Sequence, residues 1–574
     1  MNILSIYFGL SASAAILKNN KLVAAVQEER FSRKKNDEAF PQNSIKFCLE
    51  KAKIKPVELD AVAVASYLSP FDDTIVRKSQ WKVEDYLKEQ QIRWKPFLVD
   101  KTVKKQKSLL QVFPEKIDLN LYPKNYWRSN YLKKNRYKNF LKDRVDIVAN
   151  FLKIDKKKVH IIEHHKSHAY YSYYASSFRD EKILALTIDG MGDGLNATVG
   201  LFDHNGSYKR FYKTNQCNIA RIYRYMTLVL GMKPNEHEYK LMGLAPYGKE
   251  KYFQKALNIF KQTLYVDGIK FKWKTKPSDS YFWFKERLEG IRFDNVAAGL
   301  QTWVEELLLK WVSNCIKKYK IKKIILSGGV ALNVKAMGRL LEIKTLKNLF
   351  IGGSASDDTL SIGAAFCLAE DLTRKKGKKW TSKNNFPLSN LYLGPEFTIK
   401  EEKKALKKLN KKKYQVMNNF NNSTIVNFLS SGKILARCVD RMEFGQRALG
   451  NRSILADPSN PNIKQKINSA IKNRDFWMPF APVILDKYEK KYLKNKKRVI
   501  SKYMTIGYQS TAEGFKKLIA AAHPADKSLR AQILFKKDNP KLYEIINSFS
   551  KETGVGGLLN TSFNLHGHPI VNSP

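Results

Sequence analysis

Two stretches of this chain carry the same order of elements, and that repetition limits the fold more than any other feature. In the first, NILSIYF reads as a strand, SAAILK and KLVAAVQ as the arms of a hairpin turning at Asn19–Asn20, Gln42–Lys53 as a helix opened by Pro41, and ELDAVAVASY as a further strand. In the second, KILALTIDG is a strand, and NATVGLF and SYKRFYK form a hairpin around an Asn-Gly turn. A helix over Val296–Lys320, the strand IKKIILSGG, a helix, the strand LKNLFIGG and a last helix follow. Each half must cover its sheet with helices. The expected class is therefore α/β, with two duplicated halves facing each other and ligand between them. Residues about 70–150 break the pattern with aromatic, basic and helical sequence (WKVEDYLKEQQIRWKPF, YPKNYWRSNYLKKNRYKNFL). They read as an insertion, either a wall of the cleft or a surface lid.

The chain has 574 residues, too many for one core, and a linker rich in Lys, Ser and Asn (372–389) separates a domain over 1–371 from one over 390–574. Five cysteines lie far apart without a C-x-x-C pair, which argues against a disulfide framework or a thiolate zinc site and fits a reducing cytoplasm. The apolar start, Ile3–Leu17, lacks the early cationic region of a signal peptide. No apolar run approaches the roughly 20 residues that span a bilayer, so no membrane partner is expected. Lys and Arg total 103 against 53 Asp and Glu, a balance of +50. Such charge attracts polyanions, but the lysines are dispersed (Lys317–Lys323, Lys403–Tyr414, Lys490–Arg498). Nucleic acid is accordingly not expected as the partner, and a nucleotide- or RNA-binding protein is the alternative class.

Chemistry concentrates in a few runs. RMEFGQRALGNRSILADP (Arg441–Pro458) and INSAIKNRDFWMPFAPV (Ile467–Val483) space Arg447, Arg452, Lys472 and Arg474 among glycines and packing residues. Arg forks suit phosphate oxygens, and Gly admits backbone N–H groups to an anion. Asn560, Ser562 and Asn564 alternate along LLNTSFN and so share one strand face, where with Arg530 they could extend an anion pocket. In EHHKSHAYYSYYAS, His164 and His168 project from one helix face, while Asp189 and Asp357 end separate strands. The turns DGMGDG (Gly190, Gly192, Asp193) and SGGVALN (Gly328, Gly329, Asn333) stand at matching points of the two halves, where N–H groups stabilise a phosphate.

These runs, with EYKLMGLAPYG (Glu238–Gly248), resemble the signatures of the ATP-dependent O-carbamoyltransferases over nearly the whole chain. The resemblance implies an actin/hexokinase-type N-terminal half and a C-terminal half like threonylcarbamoyl-adenylate synthase. It also implies a relay. Carbamoyl-adenylate forms from carbamoyl phosphate and ATP-Mg2+ at Arg447, Arg452, Lys472, Arg474 and Arg530, with Asn560, Ser562 and Asn564. The carbamoyl group then moves to a hydroxyl of a sugar or secondary metabolite. His164, His168, Asp189 and Asp357 correspond to the family's divalent-metal ligands, a set suited to iron(II) first, manganese or zinc otherwise. Ser11, Arg33, Lys35, Glu238 and Lys240 fall on the acceptor side, where Glu238 and Lys240 serve as a structural ion pair or as ligand contacts. A homodimer is a possible assembly. A tRNA-threonylcarbamoylation enzyme is the closer rival, disfavoured by the fusion of both halves in one chain.

The chain departs from the family pattern chiefly on the acceptor side. Leu10 and Ser11 stand where a His-Asp pair is usual, Asn36 where a His is, Met337 where a polar residue is, and His568 where a Glu is. Further residues of the last subdomain are expected beyond Pro574. A transferase with a different base, or with an acceptor that needs none, is the expectation from these departures; the alternative is a chain whose first half-reaction survives while O-carbamoyl transfer is weak or lost.

Overall fold

The computed structural model describes residues 1–67, 75–118, 121, 123, 136–178, 181–378, 380, 388, 390–410, 412–417 and 420–574. The chain forms two compact units, Met1–Leu388 and Ser389–Pro574.

The first unit is a mixed α/β body built twice on one plan. Strands β1 (Ile3–Tyr7), β2 (Ser13–Lys18), β3 (Lys21–Gln27), β4 (Ala61–Ala65) and β5 (Val159–Ile162) form a sheet in the order β3-β2-β1-β4-β5. The β1–β2–β3 pairs are antiparallel, and β1, β4 and β5 run parallel. Asn19 and Asn20 both take positive φ (51° and 63°), the geometry a two-residue hairpin needs. The second sheet uses β6 (Ile183–Gly192), β7 (Leu195–Phe202) and β8 (Tyr208–Thr214). After a separate hairpin of β9 (Leu264–Asp267) and β10 (Lys270–Trp273), it is completed by β11 (Lys323–Ser327) and β12 (Asn348–Ile351). Its order, β8-β7-β6-β11-β12, repeats the first sheet's order and strand senses.

Two helices lie between the sheets. Leu360–Lys375 packs on β1, β2 and β4, His164–Ala175 packs on β6 and β11, and the two helices pack on each other. Their close approach requires Gly363, because a Cβ there would collide with the Ser167 carbonyl. The sheet strands are apolar and buried throughout β1 and β4, as expected for layers covered by helices. This sandwich brings the ends of β1, β4, β6 and β11 to one place, with the N-terminus of the His164 helix among them.

The described part of the insertion has its own small core, in which Val76, Trp81, Tyr86, Leu109, Val112 and Phe113 pack with Leu228 and Tyr281. Much of YPKNYWRSNYLKKNRYKNFL lies outside the described residues, as does most of the expected linker. The helix before that linker runs on to Lys375, past the boundary drawn at Asp371.

The second unit contains β13 (Leu435–Cys438), β14 (Arg452–Ala456) and β15 (Ala481–Leu485). A two-stranded pair, β16 (Tyr508–Gln509) with β17 (Ser528–Leu529), is followed by β18 (Gln532–Leu534) and β19 (Gly557–Ser562). The mixed sheet runs β13-β14-β19-β15-β18. KYQVMNN (413–419), where alternating Tyr414 and Val416 predict a strand, is not one over its described residues. Tyr414, Val416 and Met417 are all exposed, so the segment has neither a sheet edge nor a core to join. Among the described residues, no helix is long and apolar enough to cross a membrane.

Candidate active site and metal centre

The two histidines and two aspartates expected to act together do meet. His164 and His168 occupy the first turns of their helix, whose N-cap Glu163 accepts from the N–H groups of His165 and Lys166. Asp189 comes from β6, and Asp357 opens the short turn before the Leu360 helix. Nε2 of His164 is 3.2 Å from Asp189 Oδ2 and 3.6 Å from Asp357 Oδ1; Nε2 of His168 is 3.5 Å from Asp357 Oδ1. One ligand atom from each residue falls within 4.8 Å of all the others. Ligands about 2.1 Å from a tetrahedral cation stand about 3.4 Å apart, which these separations bracket. His168 Nε2 is buried and makes no hydrogen bond among the described residues, leaving its lone pair available. The donor set therefore fits a divalent cation.

A second layer holds these groups in place. Tyr7 donates to Asp357 Oδ2 at 2.9 Å, and the Gly329 N–H donates to Asp189 Oδ1 at 2.7 Å. Ser327 Oγ lies 3.3 Å from His168 Nδ1, and Ser66 Oγ lies 3.5 Å from His164 Nδ1. Asp193 accepts from the Ser66 hydroxyl at 2.9 Å and from the His164 N–H at 2.7 Å. Such partners fix ring orientation and ligand basicity. Burial disfavours charge on His164, but the Asp357 and Asp189 carboxylates outweigh it and push its pKa up to about 9. Burial also opposes the Asp189 carboxylate, yet hydrogen bonding and attraction from His164 hold it below the usual carboxylate range. His165, between the two, is pushed down to about 4 by burial and by its histidine neighbours, and hydrogen-bonds Thr187 instead.

The two glycine turns take different parts. Gly190 and Gly192 belong to β6 itself, and the turn proper is Asp193–Gly194. Gly192 is required where it stands, because a Cβ there would fall inside the His164 ring. Gly328 takes φ +101° and Gly329 binds Asp189, so this turn is tied to the cluster. Asn333 caps the helix Val334–Leu340 and exchanges amide hydrogen bonds with Gln301.

On the expected acceptor side, Ser11 takes φ +66°, and its hydroxyl donates to Asn36 Oδ1 at 3.2 Å, so two of the departures from the pattern pair with each other. Lys35 forms an ion pair with Glu236 at 2.7 Å, and Lys233 takes the other carboxylate oxygen. Arg33 ends its short helix in the left-handed region and is exposed. Burial raises the Glu238 carboxyl to about 7, and it accepts from the Asn235 N–H at 2.6 Å. Lys240 is half-buried two residues on.

In the second unit the cations divide. Arg452 is fully buried and donates to the carbonyls of Val439, Asp440, Asn451 and Asn572. Lys472, also buried, donates to the Ser562 and Asn564 carbonyls and to Asn564 Oδ1 at 2.7 Å. Arg447, Arg474 and Arg530 are half-buried, with Arg474 over the Phe480 ring at 5.3 Å. Ser562 is the last residue of β19 and Asn564 lies beyond it, so their meeting at Lys472 reflects a chain bend rather than strand alternation. Asn560 turns to Gln532 and the Ala448 carbonyl. Motif reading passed over Tyr7, Ser66, Ser327 and Glu443. The first three sit in or just after strands whose ends meet at the cluster, which is the signal that could have found them.

Both units match one family. The Carbamoyltransferase N-terminus model matches residues 3–366 and the Carbamoyltransferase C-terminus model residues 426–574. The chain belongs to the carbamoyltransferase family. It is a transferase enzyme. Similar proteins include an uncharacterized protein of Methanocaldococcus jannaschii, 31% identical over 97% of this chain and 92% of that one. The nodulation protein NolNO of Sinorhizobium fredii is 27% identical over 98% and 75%. The 3'-hydroxymethylcephem-O-carbamoyltransferase of Amycolatopsis lactamdurans is 24% identical over 43% and 44%. Among solved structures, the ROK hexokinase of Thermus thermophilus is similar at 12% identity over 65% of this chain and 100% of that chain, with a TM-score of 0.32.

Proposed function

We propose that this carbamoyltransferase is an ATP-dependent O-carbamoyltransferase, with an actin/hexokinase-type metal cleft in residues 1–371 and a donor-activating domain resembling threonylcarbamoyl-adenylate synthase in residues 390–574. The observation that carries this reading is the His164–His168–Asp189–Asp357 cluster, in a chain whose two halves both match the family. In the second domain, Arg447, Arg474 and Arg530 would bind the phosphates of carbamoyl phosphate and ATP, with Lys472 and Arg452 shaping the loops around them. Water hydrolyses carbamoyl phosphate to carbamate and phosphate, and a carbamate oxygen then attacks the α-phosphorus of ATP. Pyrophosphate leaves and carbamoyl-adenylate remains. Fixed cations around those oxygens offset the charge that builds during attack.

In the first domain an acceptor hydroxyl attacks the carbamoyl carbon and AMP departs. His164, His168, Asp189 and Asp357 would hold a divalent cation there, iron(II) by preference, which supplies Lewis acidity toward a carbonyl or phosphate oxygen. Tyr7, Ser66 and Ser327 orient the ligand side chains. The turn of Gly328 and Gly329, with Asn333, would border the nucleotide while its own N–H groups hold Asp189 and the Ala355 carbonyl. Arg33, Lys35, Glu238 and Lys240 border the acceptor, where Leu10 and the paired Ser11 and Asn36 replace residues of the family pattern. The acceptor is a hydroxylated sugar or secondary metabolite.

Mass spectrometry of a panel of hydroxylated acceptors incubated with protein, ATP and carbamoyl phosphate tests this reading. A carbamoylated product and AMP, both dependent on both co-substrates, are expected. AMP formation that ignores carbamoyl phosphate would contradict it.

A further inference from the structure

The loop that carries Arg447, between β13 and β14, contains a carboxylate that no anion-binding role would place there. Glu443 is 1% exposed. Its Oε1 accepts from the backbone N–H groups of Leu449 (2.6 Å), Asn451 (3.3 Å) and Arg452 (3.2 Å). One oxygen therefore gathers three amides within four residues on the far side of Arg447 and closes the loop on itself.

The carbonyls of the same stretch are held from outside the loop. Asn560 Nδ2 donates to the Ala448 carbonyl at 3.1 Å, and Tyr392 and Gln532 both donate to that of Leu449, at 2.8 and 3.1 Å. Arg437 Nε donates to the Gly450 carbonyl at 2.9 Å. The turns at either end need Gly445 (φ +101°) and Gly450 (φ +121°), values closed to other residues. Backbone from 448 to 452 is thus fixed on both its donor and acceptor sides, while the side chain of Arg447, one residue before it, is half-buried.

We propose that Glu443 is the positioning residue of this loop: its buried carboxylate sets the backbone that presents the Arg447 guanidinium to the phosphate of carbamoyl phosphate. This rests on the donor-binding reading of Arg447 above. A carboxylate suits the task because a buried charge that accepts several N–H bonds is worth more than a neutral acceptor and cannot swap its role for a donor. Oε2 has no hydrogen-bond partner among the described residues, so an amide in its place can keep one oxygen on the same three N–H groups and loses the charge alone.

Steady-state pyrophosphate release from ATP, with carbamoyl phosphate varied, tests the proposal on the full-length protein. Four forms are compared: wild type, E443Q, R447A and the double variant. E443Q should raise KM for carbamoyl phosphate on the order of tenfold, with KM for ATP little changed. In the R447A background, E443Q should add less than a twofold further loss, because it acts through Arg447. Tyr392→Phe, which removes the bond to the Leu449 carbonyl and the one that the same hydroxyl accepts from Asn539 Nδ2, should shift the same KM in the same direction by a smaller factor. It supplies the test if E443Q does not fold.

Independent, multiplying losses in the double variant would overturn the positioning role, as would an E443Q enzyme of wild-type KM. An R447A enzyme with unchanged KM for carbamoyl phosphate would instead remove the donor-binding reading beneath it.

Discussion

Arg452 separates a cation that holds the fold from one that handles phosphate. Replacing it with Met keeps most of the stem and removes the fork. Of the four carbonyls it serves, those of Val439, Asp440 and Asn572 then lose this donor, while that of Asn451 keeps the Val439 N–H. At about 1 kcal/mol for each acceptor left unmade, the loss is about 3 kcal/mol. That is a large part of the 5–15 kcal/mol by which a domain is ordinarily stable. For a unit of this size about 2–4 °C of melting temperature goes with each kcal/mol, so the second unit should melt about 6–12 °C lower. Thermal and urea melts of the full-length variant read this out, and pyrophosphate release measured well below the new transition reads out the chemistry. A variant that melts within about 2 °C of wild type yet releases no pyrophosphate would refute the structural assignment and return Arg452 to the donor site.

Other outcomes follow from the same geometry. Arg447→Ala should keep the wild-type melt and lose carbamoyl-phosphate-dependent pyrophosphate release about a hundredfold or more; unchanged release would remove Arg447 from the donor site. Gly192→Ala places a Cβ in the His164 ring, so bound metal measured by plasma emission should fall well below wild type, and full occupancy would count against His164 as a ligand. The metal-free protein should lose stability as pH rises. His164, raised from about 6.5 to about 9 in the fold, contributes fully below pH about 6.5, and that contribution disappears as pH climbs through 9. Metal-loaded protein should not follow this trend, because a ligating imidazole is already neutral. Urea midpoints that hold steady from pH 6.5 to 9 without metal would show that the carboxylates do not charge His164.

Much of this was legible in the sequence because the signals are local. Apolar strand runs, an Asn-Asn hairpin turn and Pro41 at a helix start follow from backbone and burial rules that act over a few residues. The i, i+4 histidines share a helix face wherever the helix goes, and strand-end aspartates reach a common site once the sheets repeat. What stayed hidden depends on long-range partners. Nothing in RMEFGQRALGNRSILADP distinguishes Arg452, spent on four carbonyls, from Arg447. The difference lies in Asn572 and in the turn at Val439 and Asp440. Lys472 likewise reads as a phosphate cation until the bend after Ser562 brings two carbonyls and an amide oxygen to it. Tyr414 and Val416 alternate as strand residues do, but local pattern does not supply a sheet edge to receive them. Glu443 passes for a surface acid within a basic run because its three N–H partners lie six to nine residues later, across a turn that only Gly445 and Gly450 permit.

Pyrophosphate release from ATP by the purified, metal-loaded protein, with and without carbamoyl phosphate and with no acceptor present, is the measurement to make first. Release that requires carbamoyl phosphate is the predicted result and would establish donor activation in this chain. A folded, metal-loaded protein that releases none, or releases the same amount without carbamoyl phosphate, would contradict it.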